Sequence, residues 1–149
     1  ILKHRQVLIP NKFSFIIMFI NMLLLWVSWF LLCKIDIYKI DLPFFTVYLG
    51  IIISVLGLIM FLTALFTIKT LESYKGDLIT SRIYSKIRHP MYLGFILWLI
   101  GFPIIFDAIF SMILSLAFIC NILFWKHLEE IELFDRFPTY RDYKKKTIF

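Results

Sequence analysis

The stretch Phe44–Ile68, FFTVYLGIIISVLGLIMFLTALFTI, decides the fold. It holds no charged residue, and it exceeds the roughly 20 apolar residues that cross a bilayer's hydrocarbon core, so it spans with some tilt. A strand of a membrane barrel would alternate apolar and polar over about ten residues; this run is apolar on every side. Pro43 stands just before it, a good first-turn residue. Working outward, three more apolar runs appear. Phe13–Leu32 carries Asn21 and Ser28, with Ser14 near its start, Tyr92–Phe106 is short and contains Pro103, and Ala108–Trp125 follows it after Asp107 alone. The last two predict a tight helical hairpin. Its first arm is expected to kink at Pro103, which lacks a donor and crowds the preceding turn. The expected fold is all-α: a polytopic membrane bundle of four transmembrane helices (13–32, 44–68, 92–106, 108–125) in a single domain over residues 1–149.

Composition agrees. The chain is 61% hydrophobic and 19% aromatic, with mean hydropathy +0.88. A soluble domain of this make-up would lack polar surface to cover itself. The net charge of +6 does not point to nucleic acid, because the charges sit in the flanks and loops between apolar runs. Cys33 and Cys120 fall at or within apolar segments and give neither a disulfide framework nor metal-ligand spacing. Phe13–Leu32 is too long for a signal-peptide core and lacks a small-residue cleavage pattern after it. The chain opens on Ile1 rather than Met, which leaves room for a preceding segment.

Lys and Arg placement sets the expected topology. The N-terminal flank carries Lys3, Arg5 and Lys12; the second loop carries Lys69, Lys75, Arg82, Lys86 and Arg88; the tail carries Lys126, Arg136, Arg141 and Lys144–Lys146. The first loop has only Lys34 and Lys39, and the hairpin tip has none. Fourteen basic residues against two place both termini and the second loop in the cytosol. Segments 69–91 and 126–149 then lie on one cytosolic face. Gly50, Ser54 and Gly57 share one stripe of the second helix, where small residues allow close approach. A neighbouring helix of the same chain or a homodimer partner would fit it.

Two polar clusters fall on that cytosolic face. In Arg88-His89-Pro90-Met91-Tyr92-Leu93-Gly94, Pro90 takes the first helical position and the following amides are free donors at a positive helix end. With Arg88 and His89 beside them, they suit an anion such as a cofactor carboxylate. The same residues also fit a plain helix start with a snorkelling Arg and an interfacial Tyr. Glu129-Glu130, beyond the last apolar run, can hold a cation or serve as a base. They equally fit a solvated helix face with Lys126 and Glu132. His127 has no second ligand at metal spacing. Thr139–Tyr143 followed by Lys144–Lys146 reads as an aromatic anchor and polybasic patch at an anionic leaflet.

Together these pieces resemble a known superfamily. Leu78-Ile79-Thr80-Ser81-Arg82-Ile83-Tyr84, then Arg88–Gly94, a hydrophobic hairpin, Glu129-Glu130-Ile131-Glu132-Leu133, Phe137, Tyr140 and Tyr143 are similar to the paired blocks of the isoprenylcysteine carboxyl methyltransferase and phospholipid methyltransferase superfamily. The resemblance covers about Gly76 to Tyr143. It implies an integral membrane enzyme moving a methyl group from S-adenosylmethionine to a lipidic acceptor, with membrane lipids around it. It also implies that Leu78, Ile79, Tyr84, His89, Pro90, Met91 and Tyr92 enclose the cofactor with Glu129, which is needed for activity and has Glu130 next to it. The residues themselves add Arg88, which with His89 suits the cofactor carboxylate, while the glutamates suit its ammonium and sulfonium charge.

Departures bear on the acceptor. Carboxyl methyltransferases of the superfamily place an Arg four residues before the first glutamate; here Trp125 stands there, and Lys126 is the nearest cation, turned about 100° along the helix. Trp125 and Lys126 are therefore the candidate substrate residues, with Lys126 also a candidate catalytic cation. The glycine of the first block is Arg82, that of the second is Pro138, Tyr140 comes one residue early, and Asp107 replaces an Asn-Pro at the hairpin. A lipid-amine acceptor needs no cation, and Trp125 suits a cationic amine. Two alternatives remain: a nicotinamide-dependent sterol-type reductase, with Lys69, Lys75, Arg82 and Lys86 for phosphates, or a non-catalytic membrane subunit.

Overall fold

The computed structural model describes residues 12–69 and 78–149. Lys3, Arg5, Lys75 and Gly76 lie outside these residues. The described chain is all-helical: α1 Lys12–Ile35, α2 Phe45–Lys69, a 3-10 turn Arg82–Ser85, α3 Pro90–Ile105, α4 Ile109–Arg136 and α5 Tyr140–Lys146. No strand forms among the described residues; Lys39 pairs with Ala108 and Ile87 with Ile148 as isolated backbone bridges.

Two helices are long and apolar enough to cross a membrane, Phe45–Thr67 and Ile109–Arg136, and only 28% and 11% of their apolar windows are buried. The core helix of a soluble protein would be mostly buried. These helices instead turn side chains such as Ile52, Ile113 and Leu116 outward, as lipid-facing helices do. Leu23–Ile35 and Pro90–Ile105 are shorter apolar helices. The helix that holds the expected apolar segment 108–125 is longer than that segment. The helix continues eleven residues past Trp125, because Lys126, Leu128 and the glutamates are good helix formers even though the apolar run has ended. At 1.5 Å per residue the 28 residues of α4 reach about 42 Å, against roughly 30 Å of hydrocarbon. Lys126–Arg136, with seven titratable side chains, therefore projects beyond the apolar layer.

Glycines set the closest helix packing. Gly50 lies against Gly101 and Gly57 against Gly94, so α2 and α3 run antiparallel through two glycine pairs with the same seven-residue spacing. A Cβ on Gly57 would stand 2.7 Å from the Gly94 carbonyl oxygen, and one on Gly50 would stand 2.9 Å from the Gly101 carbonyl oxygen. The small-residue stripe is thus filled by α3 of the same chain, and a homodimer through Gly50, Ser54 and Gly57 would have to displace that helix. Pro103 is fully buried, with α3 ending two residues later at Ile105. The turn into α4 rests on Asp107 at φ 53°, a left-handed conformation that Asp tolerates.

Candidate active site

The start of α3 and the end of α4 meet where the glycine pairing leaves them. Pro90 is the first helical residue of α3 and His89 its N-cap, without a side-chain cap bond, so the amides of the first turn have no capping partner. Directly opposite, α4 presents Glu129 and Glu130. Adjacent on one helix, the two carboxylates have separate environments. Glu130 is buried, with 10% of its side chain exposed: Oε1 accepts from Arg88 Nε at 3.1 Å, and Oε2 accepts from Lys144 Nζ at 2.7 Å. Burial raises its pKa, but hydrogen bonds from Lys144 and Arg88 outweigh that and hold the carboxyl well below the usual range. Glu129 keeps 45% of its side chain exposed, and the nearest basic nitrogen among the described residues is His89 Nδ1 at 3.7 Å. Partial burial pushes its carboxyl upward, while the facing Tyr92 hydroxyl acts the other way.

His89 is buried, its ring stacked on Tyr92 at 5.6 Å. Burial brings its pKa down to about 4, against the pull of Glu130 and with help from the charges of Lys126 and Arg88. It is neutral at physiological pH, so Glu129 has no charged counterpart among the described residues. Among the described residues two buried polar atoms here lack a hydrogen-bond partner: the Tyr140 hydroxyl and His89 Nε2, which lies 3.5 Å from Glu130 Oε1 without bonding it. A half-exposed carboxylate, uncapped helix amides and unpartnered buried polar atoms make a receptor for a zwitterion.

The tail closes the other side. The Arg88 Nη1 donates to the carbonyls of Lys144 and Thr147, and the backbone of Ile148 bonds both Lys86 and Arg88. The Tyr143 hydroxyl donates to the Tyr84 carbonyl at 2.6 Å, and Tyr140 packs edge-on against Phe134. A neighbouring cleft of 640 Å³ is bordered by Leu78, Thr80, Ser85, Phe137, Tyr143 and Thr147, among others.

The family comparison extends what the geometry supports: the model for phospholipid methyltransferases matches residues 45–138, more than half of the chain. The protein belongs to the phospholipid methyltransferase family. That family is one of membrane methyltransferases acting on lipids. No curated protein and no solved structure matches the chain.

Within this family member the sequence-expected site residues separate into three groups. Tyr84, Arg88, His89, Tyr92, Glu129, Glu130 and Lys126 converge electrostatically. Leu78 lines the adjoining cleft, with half-buried Ile79 beside it; Pro90 is buried and Met91 half-buried in the first turn of α3. Trp125 is 47% exposed and its ring contact is to Phe124, while Lys126 Nζ lies 4.0 Å above the Phe149 ring. The sequence reading assigned Lys144 to a polybasic patch at an anionic leaflet and gave Thr147 no role, and no local signal marks either as a partner of Arg88. Arg82 takes φ 53° where the superfamily pattern has glycine, so that departure in the motif falls at a left-handed position.

Proposed function

We propose that this protein is a multi-pass membrane methyltransferase that uses S-adenosylmethionine and methylates a lipid amine at a site facing the cytosol. The observation that carries the reading is Glu129: a carboxylate at a sheltered helix end, without a charged partner among the described residues, opposite the uncapped start of α3. The residues fit the cofactor. Glu129 suits the methionine ammonium, and its charge favours a nearby sulfonium. The α3 amides of Met91 and Tyr92 suit the carboxylate. Neutral His89, Tyr84 and Tyr92 form a wall that excludes water, and the cleft beside Leu78 and Ile79 offers room for the nucleoside.

When bound, the cofactor supplies an electrophilic methyl group on a sulfonium. The protein's own part is to orient and desolvate the reacting groups, and those effects account for much of catalysis in such displacements. A lipid-amine acceptor is favoured over a prenylcysteine-type carboxylate by the absence of a free cation at the position four residues before Glu129. Trp125 stands there, and Lys126 is turned onto Phe149. Four membrane crossings are supported by the α2–α3 pairing, which lays Pro90–Ile105 alongside a full-length span, and by the 24 residues of α1. The fourteen-to-two distribution of basic residues supports the cytosolic placement of the site and both termini.

Calorimetry with S-adenosylhomocysteine on the detergent-solubilised protein tests this reading, followed by transfer of a labelled methyl group to aminophospholipid vesicles or to a prenylated cysteine. Binding that Glu129→Gln weakens about 100-fold is expected, as for a lost charged hydrogen bond of roughly 2–3 kcal/mol. Folded protein that ignores this ligand but is protected by NADPH would make it a reductase instead. Labelling of the prenylcysteine alone would move the acceptor to the carboxyl class.

A further inference from the structure

Resting on that cofactor assignment, we propose that the Glu129-Glu130 pair divides its labour: Glu129 faces the ligand, whereas Glu130 and Arg88 are positioning residues that clamp the C-terminal tail as a wall of the pocket. The contacts place Glu130 at the centre of a three-way junction. One oxygen takes the Arg88 guanidinium and the other takes Lys144, so the carboxylate's strongest acceptor directions are filled from within the chain. Arg88 in turn spends Nη1 on two tail carbonyls, those of Lys144 and Thr147, and touches the Thr147 hydroxyl. The guanidinium that the sequence assigns to a ligand carboxylate is thus engaged as a C-cap for α5.

That cap has a physical purpose. α5 has seven residues, too short to hold helical form by its own hydrogen bonds. The carbonyls of its last turn lack intrahelical donors, and Arg88 meets the Lys144 carbonyl while the Thr147 hydroxyl meets that of Tyr143. α5 carries Tyr140, whose buried hydroxyl has no partner among the described residues, and Tyr143, tied to the Tyr84 carbonyl. Releasing the clamp would free both rings and uncover the pocket from the cytosolic side.

The test compares Glu130→Gln with Glu129→Gln in lipid nanodiscs by two readouts: amide hydrogen exchange over residues 140–148 without ligand, and the release rate of S-adenosylhomocysteine. Glu130→Gln is expected to speed tail exchange at least tenfold and ligand release by a similar factor, raising the KM for S-adenosylmethionine with kcat within about twofold. Glu129→Gln is expected to leave tail exchange unchanged while losing the ligand. Lys144→Gln, at a side chain 40% exposed and so little threat to folding, should reproduce the Glu130→Gln changes in smaller measure. Tail exchange at the wild-type rate in both Glu130→Gln and Lys144→Gln overturns the clamp, as does a loosened tail with unchanged ligand release. Wild-type protein that binds no S-adenosylhomocysteine counts against the functional reading, and the exchange comparison still decides whether the clamp exists.

Discussion

The two ends of the bundle are built from similar polar parts and finished differently. At the hairpin end Asp36 Oδ2 accepts from the Ser111 amide and hydroxyl, both at 2.7 Å, and Oδ1 accepts from the Tyr38 amide. Lys39 donates to the carbonyls of Cys33 and Phe106. Both of these charged side chains serve helix ends: Asp36 caps the start of α4, and Lys39 meets carbonyls at the ends of α1 and α3. Among the described residues the buried polar atoms left without a partner near this end are Asp107 Oδ1, in the left-handed turn, and the neutral indole Nε1 of Trp29, packed against Cys33 and Ala108. At the other end Glu130 is as fully engaged as Asp36, yet its neighbour Glu129, the His89 ring and the Tyr140 hydroxyl keep unused capacity. A polar cluster at a membrane helix end is therefore no sign of a site by itself. The distinction lies in which groups remain unsatisfied after the helix ends have been served.

The largest expected effect separates the two glycine pairs. Leucine at Gly57 or at Gly50 must push α2 and α3 apart, since even a Cβ meets backbone at 2.7 Å and 2.9 Å respectively. Each substitution should destabilise by about 3 kcal/mol, in the range of severe overpacking. The functional consequences should differ. Gly57 pairs with Gly94, one turn from His89 and Tyr92, so Gly57→Leu should also weaken ligand binding; Gly50 pairs with Gly101 at the hairpin end, and the protein that remains folded with Gly50→Leu should bind normally. Detergent unfolding curves paired with calorimetry check both. Equal binding losses would show that the site responds to the whole bundle and not to its own end.

Asp36→Ala should come next, at roughly 2 kcal/mol, the combined loss of a cap and of bonds to buried donors. Thermal unfolding should shift while methyl transfer per folded molecule stays unchanged. A loss of activity in folded Asp36→Ala protein would break the division between a structural and a functional end.

How much of this was legible depends on the length scale of each interaction. The apolar runs revealed the helices because hydropathy is a local property, and the Gly50–Ser54–Gly57 stripe revealed a packing face. The stripe did not identify its partner, since Gly94 read only as part of a motif and nothing beside Gly101 in the sequence marks it as a packing residue. The extension of α4 past the apolar run escaped because hydropathy ends at Trp125 while helix propensity continues. His89, Tyr92 and Glu129 were readable through the paired blocks. Arg88 was placed at the same end of the bundle as the glutamates, but its contacts to Lys144 and Thr147 were not legible, because they span more than fifty residues. Asp36 looked like a charge offsetting lysines in a loop; its bonds to Ser111 cross 75 residues of sequence.

Acid provides the finest discrimination between the ends. His89 in the folded protein titrates at about 4, below the ordinary 6.5, so the unfolded chain takes up a proton through the window between those values while the folded chain does not. The unfolded state then binds more protons, and stability falls as pH falls through that window. At pH 5.5, one unit below the ordinary value, the loss from this group is about 1.4 kcal/mol. Glu130, held low mainly by Lys144 and Arg88 against its burial, adds a loss only below the ordinary carboxylate range, and Glu129, pushed up by burial, acts in the opposite direction. Asp36 is also held low, its burial outweighed by bonds from Ser111 and Tyr38, so its contribution is lost only as pH falls into the ordinary carboxylate range and below, under the window in which His89 acts. Hydrogen exchange at pH 7 and 5.5 should therefore show faster opening around residues 84–92 and 126–148 than around 36–40 and 107–112, and His89→Gln should remove most of that difference. A uniform acceleration along the chain would mean that the two ends open as one cooperative unit, and that the buried imidazole does not distinguish them.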